Sequence, residues 1–381
     1  MFKSRKHTKV VGLDIEAGSV AVTELSINGS VELVGHAIAP LDAGVYRDGE
    51  IIDAEALGET LKKLFAEHKF SREVRLGIAS QRVAVRWMRL PLIEDDAELE
   101  AAIRFQAQDH IPMPLDQAVL DWEVVGRREV NSDDPGVDVV AVAARRDMVG
   151  TAMQAMRTGG LRPVGIDLSA FGMIRALEGS SGVIAGGSQP DTVPYEQRIA
   201  EQAAGGGFAQ PDAGDAHKPA KLFCHLGDIL NLAVAQGSSC LFTRISLQGV
   251  EGIAQRLAEQ RKLSVEHARQ WLCHVGLAQP LDQIAGDPET VTAAREALED
   301  GAGKLAAELR VSLEYYGAQG GATQIEGVIV CGPGSIIPGL PERLQAELGY
   351  PFAVGRPRAF AHLEPAAAAR LTLSYGLALN G

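Results

Sequence analysis

The chain has 381 residues, of which 46% are hydrophobic and 22% charged, the composition of an ordinary globular protein. This length predicts two or three domains rather than one core. The 49 acidic residues outnumber the 36 basic ones and give a net charge of -13, which disfavours a general nucleic-acid binder, since phosphate contacts need a surplus of Lys and Arg. No apolar stretch approaches the ~18 residues of a membrane span and no signal peptide is evident, so we expect a cytoplasmic protein.

The cysteines favour neither a disulfide framework nor a zinc ribbon, because they lie far apart and form no C-x-x-C pair. The four are Cys224, Cys240, Cys273 and Cys331. Two of them precede a histidine, His225 and His274, and such pairs could supply metal ligands. Buried thiols beside unrelated histidines are the simpler interpretation. We therefore predict no metal site.

The first eighty residues have the pattern of an α/β domain. Alternating apolar residues predict a strand pair over 10–25 and a third strand over 31–38. A turn region at 44–53 leads into a helix over 54–68, with Leu57, Leu61, Leu64 and Phe65 on one face, and a strand follows at 74–79.

A compact β-α-β-β-α-β module of about eighty residues follows. Its predicted elements are strands at 84–90, 119–125, 137–143 and 162–167, and helices at 95–110 and 147–158. The first helix carries Leu99, Ile103, Ala107 and Ile111 at four-residue spacing, so one stripe faces a sheet. Its first turn is acidic, with Asp95, Asp96 and Glu98, which favours helix capping over a catalytic carboxylate pair.

The second half begins as the first does, with strand hairpins before helices, and this predicts a duplicated fold. Residues 179–219 hold eight Gly, four Pro and three Ser and are predicted to be a flexible linker or insertion, with a possible short helix at 194–204. Strands at 221–226, 230–236, 240–246 and 327–331 and helices at 250–261, 264–275 and 366–379 are then expected. A helix over 288–318 is expected to be broken or weakened at Gly301 and Gly303.

Three glycine-containing turns carry the functional signal: GLDIEAGSV at 12–20, HLGDILN at 225–231 and CGPGS at 331–335. Glycine lets backbone N–H groups approach a phosphate or a purine, and a hydroxyl or a magnesium-bound carboxylate completes such a site. Each turn alone is weak evidence. Their order and spacing, with a module between the first and second, are typical of a two-lobed nucleotide clamp.

These turns, the run RLPLIEDDAELEAAIRFQAQDHIPMPLDQAVLDWEVVG (89–126) and LAAELRVSLEYYGAQ (305–319) resemble the PilM family of actin-like type IV pilus assembly proteins, which are related to FtsA. The resemblance implies an α/β, two-lobed actin-like (ribonuclease-H-like) fold with an inserted β-α-β-β-α-β module in the first lobe. The implied division is a first lobe (1–83), the module (84–163), a return to the first lobe (164–178), a linker (179–219), a second lobe (220–364) and a closing helix (365–381).

The resemblance also implies a nucleotide site for ATP with magnesium. Its residues here would be Asp14, Glu16, Ser19, Gly227, Asp228, Gly332, Gly334 and Ser335. The chain departs from the family pattern at Glu16, where a Gly is expected, and at His225, where an Asp is expected. Glu16 and Asp228 would repel phosphate, so we predict a degraded site with weak or absent ATP hydrolysis and assign no catalytic residue. A divalent ion near Asp14, bridging a carboxylate to phosphate, remains an alternative.

For function, the resemblance implies a scaffold at the inner face of the cytoplasmic membrane. A groove between the first lobe and the module, with candidate lining in 85–92 and 105–114, would receive the N-terminal tail of a PilN-like membrane protein. The scaffold would link that protein to the pilus motor ATPases and could self-associate. Two alternatives remain: an ATP-binding, FtsA-like filament, expected to need a membrane-targeting helix, and a small-molecule kinase, which would need intact phosphate turns.

Overall fold

The computed structural model describes residues 8–28, 30–128, 135–178, 219–319 and 322–380. The predicted linker at 179–219, with its short helix, lies outside these residues apart from Pro219. The strands are β1 (Thr8–Glu16), β2 (Ser19–Ile27), β3 (Val31–Pro40), β4 (Tyr46–Arg47), β5 (Glu50–Ile51), β6 (Glu73–Ile78), β7 (Val83–Pro91), β8 (Ala118–Arg128), β9 (Gly136–Arg145), β10 (Arg162–Leu168), β11 (Ala220–Leu226), β12 (Leu230–Gln236), β13 (Ser239–Ser246), β14 (Ile325–Cys331) and β15 (Phe352–Val354). The helices are α1 (Ala54–His68), α2 (Asp96–His110), α3 (Arg146–Thr158), α4 (Ser169–Leu177), α5 (Val250–Arg261), α6 (Val265–Val275), α7 (Pro288–Gly317), α8 (Leu340–Leu348) and α9 (Pro365–Ala378).

Two five-stranded sheets repeat one topology. The first has the order β3-β2-β1-β6-β10, and the second has the order β13-β12-β11-β14-β15. In each, the opening strand pairs antiparallel with the next strand and parallel with a later one. This repetition explains why both halves of the sequence begin with the same pattern.

The helices form three layers around these sheets. The first sheet packs α1 and α3 on its outer face, and the second packs α5 to α8 on its own. Between the sheets lie α4 and α9, whose apolar side chains contact both. No helix in the described part of the chain is long and apolar enough to cross a membrane.

The inserted module is a three-stranded antiparallel sheet, β7-β9-β8, covered on one face by α2. The predicted stripe on α2 is buried, and Asp95 caps the helix by accepting the N–H groups of Ala97 and Glu98. All six predicted elements are present in order, but the last two join the first lobe. β10 pairs with β6, and α3 packs on α1 because its Ala152, Ala155 and Met156 complete that core. By sheet membership the insertion therefore ends at Arg145 rather than at 163.

The expected break in the long helix at Gly301 and Gly303 was wrong, because α7 is continuous from Pro288 to Gly317. Gly301 lies at the contact with α5, where a Cβ would be 2.3 Å from Cδ1 of Ile253. The low helix propensity of glycine is offset there by close helix packing.

Candidate functional site

Two hairpin turns meet at the cleft between the lobes. The β1–β2 turn lies between Glu16 and Ser19, and the β11–β12 turn lies between Leu226 and Leu230. Short strands joined by tight turns place both at the carboxyl end of the first strand of their sheets. The backbone N–H of Ala17 donates to Oδ2 of Asp228 at 2.9 Å, so the first turn is bonded directly to the second.

A second bond between the lobes joins Glu16 to His225. Oε1 of Glu16 lies 2.5 Å from Nε2 of His225, and both side chains are almost completely buried. Burial opposes the charged form of each group, but the ion pair outweighs it. With Arg370 and His225 nearby, the pKa of Glu16 falls to about 2, and the pKa of His225 rises well above its ordinary value. The pair is therefore ionised at neutral pH.

Arg370 of α9 is the cation at the centre of the first turn. Its Nη1 donates to Oδ2 of Asp14 at 2.5 Å, and its Nε and Nη2 donate to the hydroxyl and the carbonyl oxygen of Ser19 at 2.7 and 2.8 Å. Nε also lies 3.4 Å from Oε2 of Glu16. Arg370 is 6% exposed, and its guanidinium bonds three groups of the hairpin to the central helix.

The carboxylate of Asp14 accepts a hydrogen bond from Arg370 and is strongly desolvated by burial. Burial raises the pKa of Asp14 and Glu16 adds to the rise, although Arg370 acts in the opposite direction. The bond from Nη1 of Arg370 at 2.5 Å makes Asp14 the carboxylate partner of the guanidinium. The carboxylate is thereby engaged within the protein.

Asp228 occupies the amide groups of both turns. Besides accepting from Ala17, its Oδ1 accepts the N–H of Ile229 at 2.8 Å. Burial and the nearby Glu16 raise the pKa of Asp228 to about 7. These backbone N–H groups are the donors that a phosphate would use in such a turn. A carboxylate of the chain itself takes that place.

The glycines of the site allow the His225 ring to be packed closely. A Cβ at Gly227 would lie 2.6 Å from its Nε2, and a Cβ at Gly332, whose φ is +83°, would lie 2.6 Å from its Cε1. Nδ1 of the ring lies 3.5 Å from Sγ of Cys331. These two glycines therefore accommodate a buried imidazole where the family resemblance predicted a ligand.

The last two predicted residues are buried parts of the same turn. Gly334 packs on Leu226 and Val250, and Oγ of Ser335 donates to the carbonyl oxygen of Gly332 at 2.7 Å. The eight predicted site residues are thus close together in the fold. His225 connects those of the first turn to the second lobe, and Arg370 connects them to α9.

Two arginines of the site were missed in the sequence. Arg370 could have been identified from the sequence, because it is the one charged residue in the apolar sequence of α9. Arg269 could not have been identified in this way, because α6 has the pattern of an ordinary surface helix. Its guanidinium covers the first turn, where a Cβ at Gly18 would lie 2.4 Å from Nη1, and it is held by Glu251 and Glu266 at 2.8 Å.

Comparison with known proteins agrees with this architecture. Residues 12–193 match the family described as type IV pilus assembly protein PilM. A solved PilM-PilN type IV pilus biogenesis complex contains a chain 22% identical to this one, with 98% of both chains covered and a TM-score of 0.74. Ethanolamine utilization protein EutJ from Carboxydothermus hydrogenoformans is 13% identical over 99% of this chain and 91% of its own, with a TM-score of 0.50. These likenesses confirm the predicted two-lobed actin-like fold.

Proposed function

We propose that this chain, whose residues 12–193 match the family of the type IV pilus assembly protein PilM, is an actin-like scaffold of a pilus assembly platform. It acts on the cytoplasmic side of the inner membrane, binds the N-terminal tail of a PilN-like protein and links that protein to the motor ATPases. The partner is suggested by the solved PilM-PilN complex, which has the same fold. The link to the motors rests on the family role alone.

The observation that favours a scaffold over an ATPase is that the two turns are bonded directly to each other. Asp228 takes the N–H of Ala17, and Glu16 forms an ion pair with His225. ATP with magnesium does not fit these residues as they stand, because its phosphates would displace a buried, charge-balanced network and meet carboxylates instead of donors. Asp14 is likewise paired with Arg370 rather than open to a magnesium-bound water. ATP binding is accordingly weak or lost, and hydrolysis is weak or absent.

The partner tail docks on the open side of the module sheet. Side chains alternate along β7, so that Ala84, Met88 and Leu90 are buried, while Val85 and Trp87 point to the face opposite. Trp87 is 37% exposed although it is large and apolar. β7 is also an edge strand, so its outer backbone groups can pair with an extended peptide.

This placement uses part of the lining predicted from sequence. Val85 borders a cavity with Ser80 of the first lobe and with Pro112 and Met113, which follow α2. Phe105, within the other predicted stretch, lies on the outer side of α2 and is 73% exposed. We place the groove along β7, with Val85 at its end next to the cavity, and not at Phe105.

Fluorescence anisotropy with a labelled N-terminal tail of a PilN-like protein tests the proposal. The full chain should bind the peptide without nucleotide, and millimolar MgATP should leave the affinity unchanged. Trp87→Ala should weaken binding at least about tenfold, because a central aromatic side chain carries much of such an interface. Phe105→Ala is the matched control and should have no effect. Absence of peptide binding, or equal losses in both variants, would contradict the proposed groove.

A further inference from the structure

A cavity of about 310 Å³ lies where the first lobe, the module and the second lobe meet. The end of β6 and the start of β7 form one side, and Thr243, Arg244 and Ile245 of β13 form the other. Leu168 and Ala170, at the start of α4, close its base. Its volume is at the lower end of the range for small-molecule sites. It shares Val85 with the proposed peptide groove, but its polar inner end belongs to the second lobe.

Asn231 is the unusual residue of this inner end. It lines the cavity, is 1% exposed, and neither its Oδ1 nor its Nδ2 has a hydrogen-bond partner in the part of the chain that the structure describes. Buried side-chain amides are nearly always hydrogen-bonded, so an amide with both ends unsatisfied indicates a missing partner. The cavity is the space from which that partner can come.

The rest of the lining is suited to negative charge. α4 begins at Ser169, and Leu168 at its N-cap has no polar side chain, so the positive end of the helix dipole is uncapped at the cavity. Arg86 also lines it. None of the described lining residues is acidic, although the chain carries a net charge of -13.

The charge of Arg86 is not matched within the described chain. Its Nε and Nη1 donate to the backbone carbonyl oxygens of His110 and Val85, both at 2.8 Å, so the guanidinium is fixed at the cavity by neutral groups. Arg244 lies opposite Leu232 of the outer core and pairs with Glu308 of α7, so its guanidinium lies on the face of the sheet opposite to Asn231. A bound anion would supply the charge that the contacts of Arg86 leave uncompensated.

We propose that this cavity binds a small ligand with a carboxylate or phosphate group. The oxyanion lies at the start of α4 beside Arg86, and a polar atom of the ligand hydrogen-bonds the amide of Asn231. The site is separate from the turns at Glu16 and Asp228 and does not depend on the proposed pilus function.

Calorimetric titration of the full chain with succinate and, separately, with inorganic phosphate tests this site and distinguishes its two possible sources of oxyanion. In a buffer free of other oxyanions, at least one probe should bind with a Kd of about 1 mM or tighter. Asn231→Asp, which keeps the shape and adds a negative charge, should weaken binding at least about tenfold. Arg86→Met should also weaken binding at least about tenfold. Because Arg86 is partly exposed, this variant tests the site even if the Asn231 variant does not fold.

Arg89→Met is the matched control, since this arginine lies on the same strand but does not line the cavity. It should leave the affinity unchanged. Tighter binding of phosphate than of succinate would indicate a phosphate ester as the ligand, and the reverse a carboxylic acid. If neither probe binds, the cavity holds water only and the proposal is wrong. Binding that survives both Asn231→Asp and Arg86→Met would place the anion elsewhere and also overturn it.

Discussion

Replacing Arg370 by methionine should destabilise the protein more than any surface charge change. The guanidinium is buried and pairs with Asp14 at 2.5 Å, and Glu16 lies 3.4 Å away. Methionine keeps much of the length and the apolar stem but leaves the buried Asp14 without its cation and Glu16 with His225 alone. Removing one partner of a buried ion pair typically costs about 3–5 kcal/mol. We expect a loss in that range in the free energy of unfolding by urea.

The assay is urea denaturation of the full chain at neutral pH, followed by circular dichroism. Lys304→Met is the matched control, because Lys304 pairs with Asp300 at 2.7 Å but both side chains are about half exposed. Such a surface pair contributes roughly 0.3–0.5 kcal/mol. Adding Asp14→Asn to Arg370→Met should restore part of the stability by removing one unpaired charge. A cost for Arg370→Met no larger than for Lys304→Met would refute the assignment of Arg370 as the buried cation of the site.

Two further predictions concern proton binding and helix packing. Folding raises the pKa of Asp228 from 3.8 to about 7, so the folded protein binds a proton at this carboxyl group more tightly than the unfolded chain does. The contribution of Asp228 to the free energy of unfolding therefore falls as the pH rises from 3.8 to about 7. Urea titrations across this pH range should show a pH dependence that Asp228→Asn reduces; equal slopes in both proteins would count against the buried carboxylate. Gly301→Val should cost about 1–3 kcal/mol by overpacking Ile253, whereas Gly303→Ala, with open space around it, should stabilise α7 by up to about 1 kcal/mol. Similar melting temperatures for the two glycine variants would disprove the close contact.

Elements with one apolar face could be predicted from the sequence. The helix over 54–68 was expected with the bounds that α1 has, because its leucines recur on one side. α4 was missed for the opposite reason. It lies between two sheets and is buried on nearly all sides, so its sequence SAFGMIRAL lacks the alternation of polar and apolar faces that identifies a surface helix.

The site could be predicted only in part, because its chemistry depends on contacts between lobes. The unusual Glu16 and Asp228 were evident in the sequence, and their repulsion of phosphate was the expected consequence. The cationic partners of Glu16 were not evident: His225 comes from the second lobe and Arg370 from the last helix. Only the fold brings these cations within reach, and with them the carboxylates become part of a neutralised network rather than isolated charges.

The central claim is that the two turns bind each other in place of nucleotide, and calorimetric titration with MgATP tests it most directly. The comparison is between the natural chain and a variant carrying Glu16→Gly, His225→Asp and Asp228→Gly, which removes the substitute carboxylates and restores the expected aspartate. The account predicts no measurable binding to the natural chain and recovered binding in the variant. Micromolar affinity of the natural chain for MgATP would contradict it and would make nucleotide a regulator of partner docking.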